Sequence, residues 1–258
     1  MSARDWDAAT YHQVSAPHQV WANELLDRLH LRDDELVLDA GCGSGKVTAM
    51  LVERVSHGRV YAVDVAPTMV AHTKEQLGDR VIASCQDLTE FTLPEKVDAV
   101  FSNATFHWIP DHPKLFARLA DALKPGGRIV AQFGGFGNID SFRVAADEVA
   151  ASGEFAAYFA DWQGPWNYAR ADITAERLEH AGFVDVETWL EPRPTPIEDP
   201  ETYVETICLL RHLDKLPQDL HKPFIRAVLA RTGTPLVLDY VRLNIVARRG
   251  DASASTSN

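Results

Sequence analysis

From Leu36 onward the chain alternates short apolar runs with segments whose apolar positions recur every three or four residues. The runs are "LVLDA" (36–40), "RVYAVD" (59–64), "VIAS" (81–84), "VDAVFSN" (97–103) and "GRIVAQF" (127–133). Runs that stay apolar through most of their length predict strands buried on both faces. Between them the spacing predicts helices over 46–56, 67–77 and 113–123, with Pro67 suited to a first turn and "KPGG" to a stop. Val20, Trp21, Leu25, Leu26 and Leu29 place an amphipathic helix ahead of the first strand, and "GFVDVETWL" and "LDYVRLNIVARR" read as two last strands. The expected fold is α/β: a Rossmann-like, doubly wound, mostly parallel sheet of seven strands with helices on both faces.

Two segments break the alternation. Residues 134–171 are rich in Phe, Tyr and Trp, and residues 191–235 are helical in pattern after "EPRPTPIEDP". Each begins just beyond a strand, so both are expected to cap the carboxyl edge of the sheet, where ligands of open α/β sheets bind. The expected organisation is one domain over 1–250 carrying these cap segments, then a polar tail, 251–258, expected to be disordered.

Composition narrows the classes. With 46% hydrophobic and 24% charged residues among 258, the chain is an ordinary globular one, and its net charge of −12 argues against a nucleic-acid partner. No run is long and apolar enough to span a bilayer, and "MSARDWDAAT" lacks the basic-then-apolar pattern of a leader, so a cytoplasmic location without a membrane partner is expected. Cys42, Cys85 and Cys208 form no C-x-x-C pair, and no H-E-x-x-H motif occurs; reduced thiols and metal independence are expected.

The candidate chemistry centres on "VLDAGCGSGKVT" (37–48). A triphosphate loop, G-x-x-x-x-G-K-[ST], would place a glycine at Ala40 and a hydroxyl at Val47, which the chain lacks. A dinucleotide loop, G-x-G-x-x-G, is met by Gly41 and Gly43 but has Lys46 in its third glycine position; Asp64 supplies the acid about 20 residues on, so this reading stays open. Asp39-x-Gly41-x-Gly43-x-Gly45 resembles motif I of the class I S-adenosylmethionine-dependent methyltransferases. That resemblance implies S-adenosyl-L-methionine as cofactor, its methionine end beside the glycine loop and its ribose hydroxyls on Asp64. A carboxylate suits a cis-diol, two acceptors facing two donors. By the same resemblance Asp87 of "CQDL" meets the adenine, and Val65, Met69, Leu88 and Asn103 belong to the cofactor site. "DWDAATYHQVSAPHQVWANELL", "FSNATFHWIPDH" and "RLNIVARR" resemble the trans-aconitate methyltransferase group, which adds Tyr11 and Gln19 near the cofactor.

Methyl transfer from a sulfonium is an in-line displacement that needs alignment and exclusion of water. A carboxylate acceptor is already an anion at neutral pH and needs no base. His107, in "ATFHWI", either packs beside Trp108 or contacts the substrate. Trp108, Phe136, Trp162, Trp166 and Tyr168 are candidate pocket walls or parts of the cap's own core. Arg193 and Arg211, with Lys215, reach an anionic head or stand in solvent. A tricarboxylate needs several cations nearby, yet residues 134–170 supply only Arg143 and Arg170. The expected activity is therefore O-methylation of a small-molecule carboxylate with a hydrophobic body. C-methylation of an alkene such as a prenyl diphosphate is the alternative with the same cofactor, and a nicotinamide-dependent oxidoreductase is the alternative from another class.

Overall fold

The computed structural model describes residues 16–251; Tyr11, the side chain of Gln19 and residues 252–258 lie outside the described part. Helix α1 (Ala16–Leu29) precedes β1 (Leu36–Ala40), α2 (Lys46–Arg54), β2 (Arg59–Asp64), α3 (Pro67–Leu77), β3 (Val81–Cys85), β4 (Val97–Asn103), α4 (His112–Ala122) and β5 (Leu123–Gly134). After the first cap segment come α5 (Asp140–Ala150, within the cap), α6 (Ala171–His180) and β6 (Phe183–Pro192), and β9 (Val241–Arg249) closes the sheet.

The seven strands are ordered β3-β2-β1-β4-β5-β9-β6. β1 to β5 pair in parallel, whereas β9 runs antiparallel to both β5 and β6. Both faces are buried, as near-continuous apolar strands require. On one face Leu38, Tyr61, Val100, Phe116 and Phe133 pack together under α4 and α6. On the other, Leu25, Leu26 and Leu29 of α1 cover Val37, Ala62 and Phe101.

The cap is narrower and more broken than its sequence suggests. Gly134 is still in β5, Ala171 already opens α6, and Glu191 and Pro192 belong to β6, because antiparallel β9 offers both neighbours a long ladder. Within 191–235 the helical pattern resolves into α7 (Pro200–Tyr203), a π turn (Val204–Cys208), α8 (Leu210–Leu213) and α9 (Gln218–Leu229), flanked by a two-residue pairing of β7 (Thr195–Pro196) with β8 (Val237–Leu238). Phe142, Phe155, Phe159 and Phe224 form the cap's own core, joined by Trp21 from α1. Phe159 stacks on Phe224 at 5.5 Å between centroids, and Phe155 meets it edge-on at 5.2 Å.

Candidate active site

The glycine loop turns from β1 into α2 with Gly41, Gly43 and Gly45 all at positive φ. A side chain on Gly41 would overlap Thr105, so the close approach of the β4 exit to this loop depends on glycine there. At Gly43 the missing side chain faces open space, which leaves backbone bare toward a ligand. The loop is held from two sides. Asp64 Oδ2 accepts the Gly43 N–H at 2.9 Å while Asp64 Oδ1 accepts that of Ala66 at 2.9 Å, and Thr73 Oγ1 donates to the Gly43 carbonyl at 2.9 Å.

Asp39, at the end of β1, is 2% exposed and accepts the Thr48 hydroxyl at 2.6 Å. Burial, aided by the repulsion of Asp64, pushes its carboxyl up to about 7 against the hydrogen bond from Thr48. The neighbouring Cys42 thiol is pushed up by burial and by the same two carboxylates, so it stays protonated. Around these groups lies a crevice of about 1080 Å³ at the carboxyl ends of β1, β2 and β4. Asp39, Gly41, Gly43, Asp64, Val65, Met69, Asp87, Leu88 and Asn103 all line it. Val65 is 63% exposed, an apolar wall standing directly after an acid that could grip a sugar. Trp162, Pro165, Arg211 and Lys215 close it from the cap side.

Beside the crevice is a second cavity of about 40 Å³, walled by His107, Tyr168, Tyr240 and Arg242 among others, and sharing Ala104 and Trp108 with the crevice. His107 is buried between Trp108 and Tyr168, with ring centroids at 5.1 and 5.9 Å, and its Nδ1 accepts the Gly134 N–H at 3.3 Å. That bond assigns the ring proton to Nε2.

Residues 37–127 match a family model described as a methyltransferase domain. A trans-aconitate 2-methyltransferase of Escherichia coli O1:K1 is 34% identical over 128 residues, 50% of this chain and 50% of the relative. The chain thus spans about half the length of the curated relatives it matches. The phosphoethanolamine N-methyltransferase 2 of Haemonchus contortus, solved with S-adenosyl-L-methionine, superposes with a TM-score of 0.62 at 20% identity over 95% of this chain and 57% of that one. The geranyl diphosphate C-methyltransferase of Streptomyces coelicolor A3(2) does so with 0.52 at 21%, over 90% and 80%. At these identities the likeness is one of fold. The dinucleotide-binding strand order is 3-2-1-4-5-6; here antiparallel β9 is inserted between β5 and β6. The likeness to a methyltransferase domain thus covers residues 37–127, about a third of the chain.

The donor set of this crevice fits S-adenosylmethionine: a bare glycine loop, a buried acid for a cationic end, an acid for a diol, and apolar Val65 and Met69. Besides His107, five of the sequence candidates fall outside the crevice. Gly45 lines neither cavity and packs on Thr73, where a Cβ would crowd. Phe136 is 58% exposed, its ring under the Arg170 guanidinium at 5.8 Å, because its N–H bonds to Ala169 on the outer side of the cap. Arg193 pairs with Glu24 at 2.6 Å and Glu191 at 2.7 Å, away from both cavities. Trp166 and Tyr168, stacked at 5.6 Å, wall the small cavity rather than the crevice.

Arg242, Tyr240 and Asn138 of the small cavity were absent from the candidates. The signal for Arg242 was in the sequence: an arginine within "VRLNIVA", a strand whose other residues are apolar apart from Asn244. It is 1% exposed, opposite Gly134 in the β5–β9 ladder, with Nε donating to Gln132 Oε1 at 3.3 Å and Nη2 to the Gln132 carbonyl at 3.4 Å. Among the described residues no three His, Cys, Asp or Glu side chains stand together as a metal-ligating group, and no helix is long and apolar enough to cross a membrane.

Proposed function

We propose that this chain is a cytoplasmic enzyme that transfers the methyl group of S-adenosylmethionine to the carboxylate of a small acid with a hydrophobic body. Residues 1–250 act as one domain in this reading, with the aromatic cap covering the acceptor. The observation that carries it is the crevice itself. Its floor is anionic at Asp39 and Asp64 under the glycine loop, and the opposite wall sets apolar Trp108, Ile109, Trp162 and Pro165 beside the cations Arg211 and Lys215. The trans-aconitate relatives support a carboxylate as the acceptor group.

The bound cofactor supplies an electrophilic methyl group on a sulfonium. The chain's part is to hold and align. Asp64, fixed by two backbone N–H groups, presents its remaining lone pairs to the ribose diol; Asp39 meets the cationic end; Trp108 and Trp162 keep water from the reacting atoms. A carboxylate acceptor arrives without a proton to remove, in keeping with an Nδ1 of His107 that is engaged by Gly134. In this reading His107 contacts the substrate rather than moving a proton. C-methylation would need a base to take up a proton after transfer, a task this engaged imidazole suits poorly.

The test is a panel assay that follows S-adenosylhomocysteine release across hydrophobic monocarboxylates, tricarboxylates, prenyl diphosphates and phenols, with products read by mass spectrometry and NMR. A methyl ester of a hydrophobic acid is expected. Preference for a tricarboxylate, or a carbon-bound methyl in the product, overturns the reading.

A further inference from the structure

Resting on that reading, we propose that Arg211, Asp214 and Lys215 form the acceptor's head-group clamp inside the crevice, two cations around one acid that select a single carboxylate. All three line the same space as Gly41, Gly43 and Asp64, so a head group held there stays in the cofactor's compartment. Trp162 and Pro165 of the same wall offer a surface for the hydrophobic body beside it. Of the other crevice cations, Lys114 is committed to Glu90 at 2.8 Å, and Lys46 opens α2 next to the glycine loop, at the cofactor's end.

The local backbone displays this clamp. The π turn over Val204–Cys208 closes with the Leu209 N–H bonded to the Val204 carbonyl at 2.7 Å, five residues back. One extra residue in a helical turn rotates everything after it by about 100°. Beyond it Leu210, His212 and Leu213 of α8 are buried, while Arg211 is left half-buried and lines the crevice with Asp214 and Lys215 of the following turn. His212 sits edge-on to Trp162 with ring centroids 4.4 Å apart, which fixes α8 against the aromatic wall.

The charges are arranged for one anion. Arg211 Nη1 donates to Asp214 Oδ2 at 3.1 Å, and among the described residues no other acceptor takes the remaining N–H groups of the guanidinium. Lys215 is exposed and has no acidic partner among the described residues. The Asp214 side chain is 15% exposed, and its Oδ1 is buried without a hydrogen-bond partner among them. An under-satisfied buried acid costs stability, which the placing of the Arg211 guanidinium explains. Arg211 and Lys215 against Asp214 leave one positive charge. A single carboxylate neutralises it, whereas a second carboxylate on the same head would enter without a partner. The methyl ester carries no charge, so the clamp holds the acid and lets the product go.

The experiment uses the full chain loaded with S-adenosylhomocysteine at pH 8. Calorimetry compares decanoate with octylmalonate and 3-phenylpropionate with benzylmalonate, pairs that share a body and differ by one head carboxylate, together with the amides and methyl esters of the two monocarboxylates. At least one monocarboxylate is expected to bind, with its malonate, amide and ester weaker by about 10-fold or more. Arg211→Gln is expected to cost the acid about 10- to 100-fold and Lys215→Gln about 2- to 5-fold, both variants binding S-adenosylhomocysteine as the parent does. In turnover the losses fall on KM more than on kcat. Asp214→Asn keeps an oxygen for Arg211 but removes the negative charge, so the malonate should gain about 3- to 10-fold relative to the monocarboxylate; a merely structural role for Asp214 would weaken both alike. Lys215→Gln, a change to an exposed side chain, serves if Arg211→Gln does not fold. Failure of both monocarboxylates to bind the loaded chain, equal binding of acid and amide, or tighter binding of the malonate by the unaltered chain overturns the clamp. Undiminished acid binding by Arg211→Gln and Lys215→Gln, or an unchanged malonate-to-acid ratio in Asp214→Asn, does the same. So does a fall in S-adenosylhomocysteine affinity in Arg211→Gln, which would give the cations to the cofactor's own carboxylate. Failure of the unaltered chain to bind S-adenosylhomocysteine overturns the function proposed above instead.

Discussion

Replacing Asp39 with asparagine is expected to stabilise the ligand-free chain and weaken cofactor binding in one step. Asp39 is buried beside Asp64, and burial with that repulsion raises its carboxyl to about 7 from an ordinary 3.8. A shift of about three units at about 1.4 kcal/mol each gives about 4 kcal/mol, a ceiling because water in the crevice screens the charge. The sign follows from proton counting. Between the unfolded value near 4 and the folded value near 7, the folded chain keeps a proton that the unfolded chain releases, so stability falls as pH rises across that window and is level above it. Asparagine keeps an acceptor for Thr48, 2.6 Å away in the parent, and carries no charge. Urea unfolding of the cofactor-free proteins at pH 4.5, 6 and 8 is the assay. The difference in favour of Asp39→Asn should grow from near zero at the lowest pH toward 2–4 kcal/mol at the highest. Calorimetry with S-adenosylhomocysteine should show the parent binding more tightly as pH rises to 7, because a cationic group beside Asp39 favours its ionised form, and the variant binding weakly throughout. A variant less stable than the parent at pH 8, or a stability difference independent of pH, would refute the assignment of a strained buried charge.

Asp64→Ala removes the acceptor of the Gly43 and Ala66 N–H groups together with the diol contact, and titration should show S-adenosylhomocysteine affinity falling by about 100-fold or more. Gly41→Ala forces a Cβ into Thr105 at a φ of 89° and should cost about 2–4 kcal/mol in denaturant unfolding; a cost under 1 would show that the loop yields easily. His212 is fully buried, edge-on to Trp162 at 4.4 Å, with neither ring nitrogen partnered, and burial lowers it to about 3. Since the unfolded chain takes up that proton below about 6.5, stability is lost as pH falls through this window. His212→Phe should therefore raise the melting temperature at pH 7, and by more at pH 5, whereas a lower melting temperature would point to an unseen partner for the imidazole. Chelator treatment should leave turnover unchanged, and restoration of lost activity by magnesium would contradict this.

The sheet was legible because its physics is local. Parallel strands buried on both faces must be apolar along their length, and "LVLDA", "RVYAVD" and "VDAVFSN" are, so β1, β2 and β4 read almost to the residue. The crevice residues followed, since Asp39, Asp64 and Asp87 each end or follow such a strand. The cap was not legible. Its four-residue helices and π turn have no periodicity of their own and exist because Val204, Leu213 and Phe224 are buried together. Aromatic content alone does not say which rings point inward: Phe159 went to the core, Trp162 to the crevice, and Phe136 to the outside under Arg170. Arg193 looked available because an ion pair with Glu24, 169 residues away in sequence, leaves no local trace. Arg242 was passed over because nothing local in the sequence shows that β9 lies between β5 and β6, where residues 242–245 are buried on both faces.

The place of β9 has a consequence for how the chain comes off the ribosome. Among the described residues β9 is the last strand in chain order, yet it sits inside the sheet, and β6 joins the sheet through it. Until residue 249 has left the exit tunnel, β5 presents an open edge twelve residues long, a template for stray pairing with other nascent chains. Stops or deletions shortly after residue 240 should then yield insoluble material rather than a trimmed, working protein, while the polar residues beyond Arg249 can be removed without that penalty.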